Sequence, residues 1–334
     1  MLFLFSILTT ILVFSGTGRA ADFAGKTMTL ITSMAAGGTN DTTARIIARE
    51  MPKYLPGRPI MIVQNMPGAG NILATNYMYN IAPRDGTFIA VVNYAIPLNQ
   101  VLDGRGVRFD ASKFNWLGSP ANGAAAIIIH ESAGVSSIED LLKTDVVIGG
   151  VGAGSSNVIW PYALKRVLGF RFKIVSGYKA GPDLWLAMER GEIQGRAGSY
   201  ADLKASRSDW IVNKNVRIPV QLGALGDQEL RDVPLTADIT MGEEQRKVLE
   251  FIFSPIALGQ PYLAPPGVPS SVVAVLRESF RRTMVDSEFR AASKAANIDV
   301  DPIGYVEISR VVEATISVDP EIVKIAKAAI AKDD

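Results

Sequence analysis

Cysteine is absent from this chain of 334 residues, and histidine occurs once, at His130. Without thiols there is no disulfide framework, no thiolate metal site and no Cys–His catalytic pair, and a single imidazole builds no multi-histidine metal centre. Nor is there a surplus of charge: 34 Lys and Arg stand against 33 Asp and Glu, a formal +1. Nucleic-acid binders need a basic excess to neutralise phosphates, so nucleic acid is not an expected partner and an anionic ligand must be held by local geometry. Low-complexity tracts and Ser/Pro/Gly-rich linkers are missing too. At roughly 100–200 residues per domain the length suggests two domains, joined by crossing strands and not by a tether. With 48% hydrophobic residues, the chain can fill two cores.

What is present begins with an apolar run from Met1 to Phe14, followed by Ser15, Gly16, Thr17, Gly18, Arg19 and Ala20. Small residues at Gly18 and Ala20, two positions apart after such a run, read as a secretory signal peptide cleaved near Ala20. An uncleaved anchor is the alternative, but the run falls short of the ~18–20 residues that a spanning helix needs. No Cys follows it, which excludes a lipid-anchored lipoprotein. The expected location is the periplasm.

From Thr27 onward, β-type runs alternate with Gly-rich turns and helical stretches, the pattern of βα units around largely parallel sheets. The fold class is α/β. Strands are expected at Thr27–Thr32, Pro59–Gln64, Phe88–Val92, Val146–Ile148 and Phe172–Val175. Helices are expected at Asp41–Tyr54, where Ala44, Ile47, Ala48 and Met51 share a face, at Asn71–Tyr79, up to Leu168 with Gly169 as its stop, and at Asp183–Arg190. Near the end, Ser271–Val285 reads as a helix capped by Ser270 or Ser271, and a last helix spans Pro320 to Lys332.

Two segments share a plan. Ala35-Ala36-Gly37-Gly38-Thr39-Asn40-Asp41 and Gly150-Val151-Gly152-Ala153-Gly154-Ser155-Ser156-Asn157 each carry a strand into a helix start. Glycines admit a ligand close to the backbone, and the N–H groups and positive dipole end of a helix N-terminus favour an anion. One such half-site per domain clamps the two ends of a dicarboxylate without any arginine. The alternative is a pair of ordinary turns in which Thr39, Asn40 or Ser156 caps a helix and Asp41 caps outward. Pro161 places the start of the second helix in question, since proline prefers the first turn. Tyr178 and Lys179, in the loop between Gly177 and Gly181, are placed to reach the same cleft. Trp160 and Trp185 read as core or cleft-wall packing.

Rival chemistries fail on spacing. G-x-G-x-x-G is broken from Gly150 by Ser155, from Gly152 by Asn157 and from Gly68 by Leu73, and no G-x-x-x-x-G-K-[ST] occurs. A serine hydrolase would have to recruit His130 without a G-x-S-x-G elbow. Glu189 and Glu192 sit where solvated charge is the default.

The run SMAAGGTNDTTARIIAREM followed by VQNMPGAGNILATNYMYNIAPRDGTFIAVV resembles the N-terminal signature of the tripartite tricarboxylate transporter substrate-binding proteins, also called Bug (Bordetella uptake gene) or TctC-type receptors. The matching positions are Gly37, Gly38, Asp41, Ala44 and Arg45; Asn65, Pro67, Gly68, Ala69, Gly70 and Asn71; and Asp85, Gly86 and Thr87. GGVGAGSSN, SGYKAGPDLWLAMERGEIQGR and YLAPPGVPSSVV extend it over essentially the whole chain after the leader. The resemblance implies a type II periplasmic-binding-protein fold: two α/β domains with a ligand cleft between them. It implies domain 1 from residues 22–123 and 251–334, domain 2 from 124–250, and hinges near Pro120–Gly123 and Phe251–Ile256. The ligand-binding set it implies is Ala36, Gly37, Gly38, Thr39, Asn40, Gly70, Asn93, Gly154, Ser155, Ser156, Tyr178 and Gln194. No catalytic residue, metal or cofactor is implied. This chain departs from the family pattern at Ala36 (a proline in the pattern), at the single Gly70 of PGAGN, at Val158 (commonly His) and at Gln194 (often Asp).

The expectation is a monomeric, non-enzymatic periplasmic receptor that captures a small organic carboxylate and delivers it to membrane subunits of the tripartite tricarboxylate type. A sensor presenting the ligand to a two-component kinase uses the same fold, and an exported lyase or hydrolase would need only the cleft.

Overall fold

The computed structural model describes residues 22–332, except 103, 105, 153, 224, 225 and 240. The leader assigned to residues 1–20 lies outside the described residues. In chain order the elements are β1 (Thr27–Thr32), α1 (Thr39–Glu50), β2 (Ile60–Asn65), α2 (Ile72–Asn80), β3 (Phe88–Val91), α3 (Ile96–Leu102), β4 (Asn115–Ser119), β5 (Ala125–His130), α4 (Ile138–Lys143), β6 (Val146–Gly150), α5 (Ser156–Leu168) and β7 (Phe172–Ser176). There follow α6 (Gly181–Glu189), β8 (Gly195–Ser199), α7 (Tyr200–Val212), β9 (Val216–Leu222), α8 (Glu243–Phe253), β10 (Tyr262–Ala264), α9 (Ser270–Met284), α10 (Ser287–Ala295), β11 (Ile303–Gly304), α11 (Tyr305–Ile316) and α12 (Pro320–Ala329).

The strands make two sheets, in the orders β11-β4-β10-β3-β1-β2 and β7-β6-β8-β5-β9. The expectation of largely parallel sheets holds for the βα units only. β1 pairs in parallel with β2 and β3, and β6 with β7 and β8. β10 runs antiparallel to β3 and β4, and β5 antiparallel to β8 and β9, because these strands carry the chain from one sheet into the other. Helices cover both faces of each sheet. α1, α9 and α10 bury Ile47, Leu276 and Phe289 against β1 and β3, and α2 and α11 bury Met78 and Val312 on the opposite face. The second sheet lies between α5, α8 and α12 on one side and α6 and α7 on the other. The last helix, α12, therefore rests on the second sheet's helices although α11 before it packs on β4. No helix among the described residues is long and apolar enough to cross a membrane.

Several element ends differ from expectation for local reasons. α1 begins at Thr39 instead of Asp41 and gives way to a 3₁₀ turn at Met51–Tyr54 where Pro52 enters. α6 starts at Gly181 because Pro182, with its preset φ, suits a first helical turn. α5 begins at Ser156 and keeps Pro161 within it. The N-cap of α9 is Pro269, not Ser270 or Ser271, and makes no side-chain cap. Gly169 ends α5 in the left-handed conformation, as its position suggests.

Candidate functional site

Between the two sheets lies a cleft of about 390 Å³. On the first side, β1 runs into Ser33–Gly38 and α1 opens with Gly38 as a cap that has no side-chain hydrogen bond. Asp41 does not cap outward. The residue is 3% exposed and its carboxylate turns back, accepting from the Gly37 N–H (3.0 Å), Arg45 Nε and Nη2 (3.0 Å each) and Asn65 Nδ2 (2.8 Å). Asn65 Nδ2 also reaches the Met34 carbonyl (3.0 Å), so the Gly-Gly turn is fastened from behind by β2.

The opposite side is built the same way. β6 leads through Gly150–Ser155 into α5, whose cap Ser155 again makes no capping bond. The Ser155 hydroxyl lies 2.6 Å from both the Gly152 carbonyl and Asn157 Oδ1, and Asn157 Oδ1 accepts from the Val151 N–H at 3.1 Å. Ser155 is thus an organiser of the loop and does not line the cleft. The cap of α7, Ser199, is likewise without a side-chain bond, and it lines the cleft together with Gly181 at the start of α6. None of Thr39, Asn40 and Ser156 caps a helix.

Of the residues singled out from sequence, Gly38, Thr39, Asn40, Gly70, Asn93, Ser156 and Tyr178 line this cleft. Ala36 and Gly37 are exposed outside it, and Gly37 borders a separate depression beside Pro182 and Ala296. Gly154 lies where the two sides meet: its carbonyl accepts from Asn99 Nδ2 at 3.0 Å and its backbone faces Gly70. Gln194 is elsewhere, because its Oε1 accepts from the Val147 N–H at 2.9 Å and ties β8 to β6. Tyr178 Oη points to Glu192 Oε2 (3.5 Å), outside the cleft. His130 also lies away from it, bonding Ser132 Oγ at 2.9 Å and packing on Trp210.

The sides touch through side chains as well. Thr39 Oγ1 donates to Asp202 Oδ1 (2.8 Å), and Tyr94 Oη is 3.1 Å from Ser156 Oγ. Burial pushes the Tyr94 phenol up to about 12, so it stays protonated at neutral pH. Its ring stacks on Trp160.

Sequence reasoning expected a cleft without arginine, and the structure corrects this. Arg196, in the central strand β8, is 5% exposed and lines the cleft. Its Nη1 is 3.2 Å from Asp202 Oδ2, and its guanidinium stacks over Trp185 at 4.3 Å. Burial pulls its pKa below the ordinary arginine value and Asp202 opposes this. A guanidinium nevertheless remains charged in proteins. The available signal was local: a lone charge inside GRAGS, a short run with the glycine content of a crowded central strand.

No family model matches the chain. A curated protein of Cupriavidus necator, described as the UPF0065 protein in the gbd 5′ region, is 23% identical over 291 residues, spanning 85% of this chain and 82% of that protein. Among solved structures, the periplasmic binding protein BugD matches with a TM-score of 0.71 at 19% identity, over 91% of this chain and 97% of its own. MatC of Rhodopseudomonas palustris, solved with bound malate, matches with 0.71 at 19% identity over 89% and 98%, and R. palustris Rpa4515, solved with adipate, with 0.70 at 19% over 91% and 98%. This chain has the fold of the Bug and TctC-type periplasmic binding proteins, the family its Gly-Gly and Pro-Gly-Ala-Gly motifs resemble.

Proposed function

We propose that this chain is a periplasmic solute receptor that closes on a small organic carboxylate and delivers it, unchanged, to a membrane transporter of the tripartite tricarboxylate type. The observation that carries the reading is the convergence on one cleft of helix starts without side-chain caps, at α1, α5 and α7, beside the buried cation Arg196. Uncapped N–H groups and positive dipole ends favour an anion, and a desolvated guanidinium, though paired with Asp202, offers further charge-assisted donors. That MatC was solved with malate and Rpa4515 with adipate supports the carboxylate class. Closure moves two bodies: residues 22–123 with 251–316, and 124–250 with α12 seated upon it. This transfers α12 out of the first body, in which the sequence reading had placed all of 251–334.

The test is thermal melting of the protein, unfolded and refolded to strip bound solute, with mono-, di- and tricarboxylates, aromatic acids and neutral sugars. A ligand at 100 times its Kd adds roughly 2.7 kcal/mol, a shift of a few degrees. Stabilisation by certain carboxylates alone is expected, with the acid recovered unaltered. Stabilisation by a sugar and by no acid, or turnover of the acid, overturns the reading.

A further inference from the structure

We propose that the depression between α1, α6 and α7 is a second binding site, separate from the cleft, for an organic monocarboxylate with an apolar body.

The depression has a volume of about 330 Å³, within the roughly 300–1,000 Å³ of small-molecule sites. It shares Thr39 and Pro182 with the cleft as a common wall. Trp185 lines the depression and not the cleft, whereas Arg196, stacked over its ring at 4.3 Å, lines the cleft and not the depression. Packed side chains therefore divide the two spaces.

Two side chains that line the depression carry donors with nothing to bond. Trp185 is 2% exposed, and its indole Nε1, a donor only, is buried without a partner among the described residues. Arg207 Nε is buried and equally unpartnered. The other guanidinium nitrogens are occupied on one side: Nη1 donates to the Ser206 carbonyl (2.9 Å), and Nη2 is 3.7 Å from Oε2 of Glu189, whose side chain is more than half exposed. A long, solvated ion pair of that kind contributes little and leaves the charge to act on a ligand. The hydroxyls of the lining do not compete as donors, because Thr39 and Ser206 donate to Asp202 (2.8 and 3.3 Å) and Thr42 to the Gly38 carbonyl (3.3 Å).

Donors left unpaired by burial are costly, and a carboxylate brings acceptor oxygens whose bond to a guanidinium is charge-assisted. Among the described residues lining the depression Arg207 is the one ionised side chain, so a second carboxylate would find no partner there. Pro182, Leu186, Ala205, Ala296 and Ile298 supply apolar contact for the rest of the acid. A single negative charge on a compact aliphatic or aromatic body fits this division.

The test is a nuclear magnetic resonance titration of the ¹⁵N-labelled protein with benzoate and hexanoate, and with benzyl alcohol and hexanol as their neutral counterparts. The chain has four tryptophans, and Trp185→Phe assigns the indole N–H signal of Trp185. That signal is expected to move saturably with at least one acid and at least tenfold more weakly with its alcohol. Arg207→Gln, and Leu186→Glu on a side chain 41% exposed, should each weaken the acid tenfold or more, whereas Gly70→Ala, in the cleft, should leave it within twofold. If Arg207→Gln fails to fold, Leu186→Glu decides alone. An alcohol that binds as tightly as its acid reveals an apolar void only and overturns the proposal. A response that survives Arg207→Gln and Leu186→Glu, or is lost in Gly70→Ala, places the acid in the cleft and overturns it too, as does a Trp185 signal that neither acid moves.

Discussion

Asp41 shows how one side chain shapes a binding turn without touching the cleft. Burial alone would raise its pKa, but hydrogen bonds from Arg45, the Gly37 N–H and Asn65 outweigh burial and hold it below its ordinary 3.8. A carboxylate depressed in the folded state contributes stability above its unfolded pKa and loses it as pH falls through the folded value. Asp41→Asn should therefore cost about 1–3 kcal/mol at neutral pH, where a buried charged partner is lost. The gap to the wild type should begin to narrow below about pH 4 and close only once pH falls under the folded value, as urea unfolding at neutral and at strongly acidic pH will show. An equal gap at both would mean that the charge on Asp41 contributes nothing. The turn residues were legible in sequence because Gly38, Thr39 and Asn40 sit at a strand-to-helix junction that local rules describe. Ser155, Gln194 and Arg196 were not, for their directions depend on partners across a loop or a neighbouring strand: Gly152, Val147 and Asp202.

Among elements, the βα units followed hydrophobic spacing closely, whereas the short strands β10 and β11 were invisible to it. β10, with three residues, and β11, with two, are defined by pairing and not by pattern. The functional consequence of the element arrangement lies where the turn before α2 meets the loop before α5. Gly70 is left-handed at φ +63°, and a Cβ on it would lie 3.0 Å from Gly154 Cα and 3.1 Å from its carbonyl carbon. Backbone sits against backbone there, so the two helix starts approach only while position 70 lacks a side chain. Gly70→Ala should weaken ligand binding tenfold or more, measured by titration, while the melting temperature of the unliganded protein falls by only a few degrees. Unchanged affinity would mean that the ligand does not need this approach.

At the scale of the whole molecule, the posture of the two sheets is set where the chain crosses between them. β4 passes into β5 through Pro120–Ala124, and α8 returns to β10 through Ser254–Pro261. These segments pack backbone to backbone: a Cβ on Gly123 would fall 1.7 Å from the Ile256 carbonyl oxygen, and one on Gly259 would fall 1.9 Å from that of Ala121. Ser119 ties them further, donating from Oγ to the Ala121 carbonyl (2.7 Å) and accepting from the Gln260 N–H (2.9 Å). Gly259 at φ +60° combines strain with crowding, but Gly123 has an ordinary φ, so Gly123→Ala tests the steric contact alone. Gly304, with ordinary φ and open space around it, provides the control. Overpacking costs typically 1–3 kcal/mol when side chains can yield, and here the obstacle is a carbonyl of the 3₁₀ turn Ser254–Leu258, which can move only with that turn. Gly123→Ala should melt several degrees lower than the wild type, and small-angle scattering of the unliganded protein should show a larger radius as the crossing segments part. Gly304→Ala should match the wild type in both. If Gly123→Ala melts and scatters like the control, the crossings give way easily, and the angle between the sheets must be held by the contacts across the cleft, Thr39 with Asp202 and Tyr94 with Ser156.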